Sequence, residues 1–89
     1  MRHQKRTDIR EQALGDELMV VDEKTDQVHV LNVTSAFVWK SLDETSDLDQ
    51  LEQRMRDHFK PPAETDVRGM AGRALAQFEK LNLLLPAAP

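Results

Sequence analysis

The sequence predicts an α+β fold: a three-stranded antiparallel N-terminal sheet packed on three helices. Three observations carry this reading. Up to Leu31 the apolar residues alternate or run in short blocks; after Asn32 they recur at steps of three and four; and the first two connections are only two to four residues long. Strands followed by helices, without interleaving, are the pattern of a layered α+β domain.

The first strand spans residues 9–14, with Ile9, Glu11 and Ala13 on one side. Gly15 and Asp16 then make a Gly-first two-residue loop, which suits a type II′ hairpin turn. "ELMVVD" is a firm second strand at 17–22, apolar on both faces. The polar run "EKTD" turns the chain into "QVHVL", the third strand at 27–31. Short connections imply a meander in sequence order.

Asn32 or Thr34 caps a helix over 34–42, because a short side-chain oxygen satisfies an orphan amide of the first turn. Phe37, Val38, Trp39 and Leu42 give it an apolar face. A second helix covers 47–59, opened by Asp47 with Gln50 at capping-box spacing and striped by Leu48, Leu51, Met55 and Phe59. Pro61 and Pro62 forbid its continuation. The third covers 66–81, with Val67, Met70, Ala71, Ala74, Leu75, Phe78 and Leu81 on one broad face. Only the short "LLLP" beyond it looks strand-like again. Trp39, Phe59 and Phe78 are expected to share one core, with the indole N–H satisfied nearby.

At 89 residues the chain is long enough for one core and too short for two. It divides into a basic tail, 1–8, and a single domain, 9–85. There are no cysteines, which excludes disulfides, thiolate metal sites and cysteine nucleophiles. No apolar run approaches a membrane span, and no signal-peptide core follows the basic start, so a soluble cytoplasmic protein is expected. Net charge is −4. Arg2, Lys5, Arg6 and Arg10 against Asp8 give the first ten residues +3 and leave the rest at −7. A body that acidic repels nucleic-acid phosphates, and the short basic tail is expected to be solvated.

Nothing in the chain signals catalysis. His3, His29 and His58 lack metal-ligand spacing, and the carboxylates from Asp43 to Glu52 fit a solvated helix start better than an acid–base pair. No nucleophile elbow or phosphate-binding glycine loop is present. "GMAG" at 69–72 lies inside a periodic helix. Its Gly69 and Gly72 form with Ala76 a small-residue strip beside Arg73, which is either a tolerant surface or a place where another chain approaches. No catalytic residue, metal or cofactor is expected, and the protein is not read as an enzyme.

The segments "QVHVLN" (27–32) and "TSAFVW" (34–39), the acidic helix start, and a last helix opening on Asp66-Val67 and closing on "LNLL" (81–84) together resemble the PqqD-like family. The resemblance covers about residues 17–84. It implies a small winged-helix-like domain that recognises the leader of a ribosomally made precursor peptide. Such a domain presents the precursor to a modifying enzyme, often of the radical S-adenosylmethionine type. It further implies that the leader adds as a strand on Val28, His29, Val30 and Leu31, flanked by Met70, Arg73, Ala74 and Gln77 of the last helix. The chain departs from the family pattern at Asp43-Glu44, where many members have Asp-Gly, and in lacking a Pro-Glu turn before the third strand. The resemblance therefore implies the family and not a place in pyrroloquinoline quinone synthesis.

The residues agree with that implication on their own terms. The third strand of a meander lies at an edge with unpaired main-chain groups, and residues 27–31 contain no Pro or Lys to blunt it. An abrupt strand-to-helix join at Asn32 leaves that edge uncovered for β-augmentation. Two other classes compete. A winged-helix nucleic-acid binder needs a basic recognition helix, but the third helix nets only +1. A homodimer would pair the same edge with a second copy.

Overall fold

A computed structural model describes residues 4–85. The element order is β1 (Ile9–Leu14), β2 (Glu17–Asp22), β3 (Gln27–Leu31), α1 (Val33–Ser41), α2 (Leu48–Phe59) and α3 (Val67–Lys80). The strands form one antiparallel sheet in the order β1-β2-β3, so β3 is an edge, as the meander requires. Gly15, at φ +63°, turns the first hairpin in a region that glycine enters without a steric cost.

Each helix starts where a short side chain satisfies its first turn. Asn32 Oδ1 accepts from the Ser35 N–H at 2.9 Å, which settles the cap of α1 on Asn32. Asp47 Oδ1 accepts from the amides of Asp49 and Gln50. The reciprocal half of the expected capping box does not form: the Asp47 amide donates to Thr45 Oγ1 at 3.1 Å, and the Gln50 side chain also bonds Thr45. Asp66 Oδ1 accepts from the Gly69 N–H at 2.9 Å and opens α3. Helix α2 ends on left-handed Lys60, φ 50°, with Pro61 immediately after.

The core lies between the inner face of the sheet and the helices. Leu18, Val20, Leu31, Val38, Trp39, Leu51, Met55, Val67, Phe78 and Leu83 are fully or almost fully buried. Trp39 and Phe78 meet edge to face at 5.2 Å between centroids. Phe59 does not join them as expected. It is half-buried at the margin, 5.2 Å from Phe37 and 4.8 Å from His58, because it is the last residue of α2 before the chain turns away. Nor does the indole N–H find an acceptor among the described residues: Trp39 Nε1 is buried without a partner there, while the Lys5 ammonium stands 4.6 Å over the ring.

The stretch expected to be a solvated tail enters the fold at Lys5 and Arg6. Lys5 bridges to Leu84, the strand-like piece beyond α3, and the Arg6 amide donates to the Leu83 carbonyl at 3.1 Å. The Arg6 guanidinium bonds both carboxylate oxygens of buried Asp22, at 2.8 and 3.1 Å, and also Asp8. A carboxylate at the end of β2 thus stays charged inside because an arginine reaches it. Residues 1–3, including Arg2 and His3, lie outside the described residues.

Candidate functional site

The direction of every amide on β3 follows from the first hairpin. A two-residue loop closes on a hydrogen-bonded pair, here Leu14 and Glu17. Hydrogen-bonded pairs alternate along an antiparallel ladder, so Glu17, Met19 and Val21 point their amides toward β1. The Glu23 N–H, which donates to the Asp8 carbonyl at 3.1 Å, continues the same parity. Leu18, Val20 and Asp22 must therefore bond to β3, through their partners Leu31, His29 and Gln27. What remains on β3 is Val28 and Val30. Their N–H and C=O groups point to the open edge, and no described residue outside the sheet bonds to them.

Side chains on β3 alternate in step with this. Val28 and Val30 turn outward, 55% and 54% exposed, beside Val21 and Met19 of β2. His29 and Leu31 turn toward the helices. Leu31 is core with no exposure, and His29 is half-buried with its Nε2 lacking a partner among the described residues. The opposite edge of the sheet, β1, is lined by Arg10, Glu11 and Gln12. Arg10 pairs with Glu23 and Glu11 with Lys5, the charged covering that protects an edge from pairing.

Helix α3 packs on α1 and α2 and stands off from β3: no Cα of one comes within 8 Å of a Cα of the other. Between the β3–α1 join and α3 lies a cleft of about 290 Å³. Met70, Arg73, Ala74 and Gln77 all line it, so the structure brings the four helix residues of the sequence reading to one wall. Asn32, Thr34 and Ser35 form the other. The sequence marks these three only as cap and helix start, since capping preference says nothing of what the cap's second polar atom faces. Ser35 Oγ donates to Gln77 Oε1 at 3.2 Å and ties the two walls together.

A larger cleft of about 700 Å³ lies between the first hairpin turn, α1 and α2. Phe37 stacks on His58 there at 4.5 Å, and Arg54 pairs with Glu44. It borders no free strand edge, so its size does not make it a peptide site. Among the described residues no group of His, Asp or Glu is placed to hold a metal ion, and no helix is long and apolar enough to cross a membrane.

No curated protein matches the chain by sequence. Two solved structures share its fold at low identity. One is a lasso peptide synthetase B1 complexed with the leader peptide, with TM-score 0.81, 15% identity, and coverage of 97% of this chain and 100% of the other. The second is TbiB1 in complex with the TbiA(beta) leader peptide, with TM-score 0.75, 13% identity, and coverage of 97% and 99%. The family model for coenzyme PQQ synthesis protein D matches residues 17–83, three-quarters of the sequence and everything from β2 through α3, and the chain belongs to that family, PqqD.

Proposed function

We propose that the chain is a leader-peptide recognition module. An extended leader segment adds to the sheet at Val28 and Val30, beside the wall formed by Met70, Arg73, Ala74 and Gln77. The observation that carries this is the pairing parity of β3. Two alternate residues, Val28 and Val30, offer complete sets of main-chain donors and acceptors, on an edge that α3 leaves open. The related folds are both leader-peptide complexes, which supports the same reading.

In this reading the module binds and presents a ribosomal precursor in the cytoplasm, and the chemistry belongs to a separate modifying enzyme, of which the radical S-adenosylmethionine type is one class. The nucleic-acid alternative loses ground at α3, because Arg68 is engaged with Asp49 and Glu52 and unavailable to phosphate. Isotope-edited NMR titration with candidate leader peptides tests the proposal. Shifts should concentrate on Val28–Leu31 and on the cleft face of α3. Shifts confined to α2 or to residues 4–8 would overturn the site.

A further inference from the structure

We infer that the cleft selects a carboxylate: the bound leader places an acidic side chain against Arg73, next to one of two apolar residues that are themselves two positions apart. This rests on the strand-addition reading and adds to it a substrate class.

The charge argument begins with the arginines. Arg6, Arg10, Arg54, Arg56 and Arg68 each pair with a carboxylate. Arg73 is the one described arginine that does not. The sequence explains why. Its neighbours three and four residues away on α3 are Gly69, Met70, Ala76 and Gln77, none of them acidic, whereas Arg56 finds Glu52 one turn back. An exposed guanidinium without a partner, on a chain with net charge −4, therefore faces the cleft.

The hydrogen-bond inventory points the same way. Asn32 spends its Oδ1 on the Ser35 amide, and Gln77 spends its Oε1 on the Ser35 hydroxyl. Each amide side chain keeps an uncommitted NH₂, a pair of donors, beside an oxygen already engaged. Arg73 can only donate. Among the described residues no carboxylate lines the cleft. A ligand side chain entering it meets the Arg73 guanidinium and the NH₂ groups of Asn32 and Gln77, beside the Thr34 and Ser35 hydroxyls, which can also accept; a carboxylate answers the guanidinium with charge assistance.

Strand parity sets where that side chain sits. Leader residues opposite Val28 and Val30 turn outward with them and extend the apolar surface of Met19, Val21, Val28 and Val30. Leader residues opposite His29 and Leu31 turn toward the helices. The cleft adjoins Asn32, so the acid is the one opposite Leu31. An antiparallel leader then reads acid–apolar–any–apolar, and a parallel one reads the reverse.

The test uses six acetylated, amidated hexapeptides against the isotope-labelled chain: Thr-Glu-Val-Thr-Val-Thr, Thr-Val-Thr-Val-Glu-Thr, and each with Gln or Lys in place of Glu. One Glu peptide should bind roughly five- to tenfold more tightly than its Gln form and more tightly still than its Lys form. In Arg73→Glu the order should invert, so that the Lys peptide binds best, while the amide spectrum of the core is unchanged. Shifts at Val28–Leu31 that are equal for Glu, Gln and Lys would overturn the acid preference and leave strand addition standing. No shift at β3 with any peptide at millimolar concentration would overturn both.

Discussion

Val20 and His29 face each other as a hydrogen-bonded pair of β2 and β3, and this turns the next amide along, that of Val30, to the open edge. Adjacent residues of one strand thus have opposite duties. One holds the sheet together and the other is available to a ligand.

Proline separates the two duties. Val30→Pro removes an N–H that no described residue uses, and proline is tolerated on edge strands where the missing donor faces solvent. His29→Pro removes a donor to Val20 in the ladder. The Val30 variant should melt cooperatively near the parent temperature and lose leader binding by NMR titration. The His29 variant should lose several degrees at least, or fail to fold. A Val30→Pro chain that still binds leader at β3 would remove the strand-addition argument.

Phe78 and Trp39 form the aromatic centre of the core, and neither is exposed to solvent. Phe78→Ala should cost on the order of 3–5 kcal/mol, enough to unfold much of a domain of this size. Phe59→Ala, at the half-buried margin, should cost less than half as much. Chemical denaturation followed by Trp39 fluorescence reads both, and equal losses would contradict the placement of Phe59 outside the centre.

The elements were legible because each has a local cause. Alternation gives the strands, Gly15 the first turn, and Asn32, Asp47 and Asp66 the helix starts. The wall of α3 was legible through the resemblance alone. The role of Asn32, Ser35 and Gln77 together was not, since it depends on which oxygen each side chain spends, and that is fixed only when α1 and α3 meet. The clamp of Arg6 on Asp22 was invisible for a similar reason. The pair is 16 residues apart with no periodicity linking them, and composition alone favoured a solvated terminus.

That clamp predicts a pH signature. Hydrogen bonds from Arg6 hold the carboxyls of Asp22 and Asp8 below the ordinary carboxylate range. Groups with lowered folded pKa values stabilise the fold fully above their unfolded pKa, about 3.9, and stop doing so as pH falls through the lower folded values. The melting-temperature gap between the parent and Arg6→Gln should therefore be constant from pH 8 to about 5 and shrink below about 4. A gap that closes between pH 8 and 6 would assign the effect to some other group.

The two glycines of α3 give the last prediction, because the structure separates them. A Cβ at Gly69 would run into the Asp66 carboxylate that caps the helix, so Gly69→Ala trades helix propensity against a displaced cap. A Cβ at Gly72 meets nothing within 4 Å. With no internal contact to lose, Gly72→Ala should stabilise the domain by about 0.5–1 kcal/mol through helix propensity and a less flexible unfolded chain. Gly72 adjoins Arg73, so the same methyl group distinguishes the two meanings of the small-residue strip. If the strip is only a tolerant surface, leader affinity in Gly72→Ala stays at the parent value while stability rises. If a bound chain approaches α3 closely there, affinity falls as stability rises. The cleft lining stops at Arg73 and does not include Gly72, which favours the first outcome. Paired thermal melts and peptide titrations of this one variant decide between them, and a loss of stability on adding the methyl would contradict the open space above Gly72.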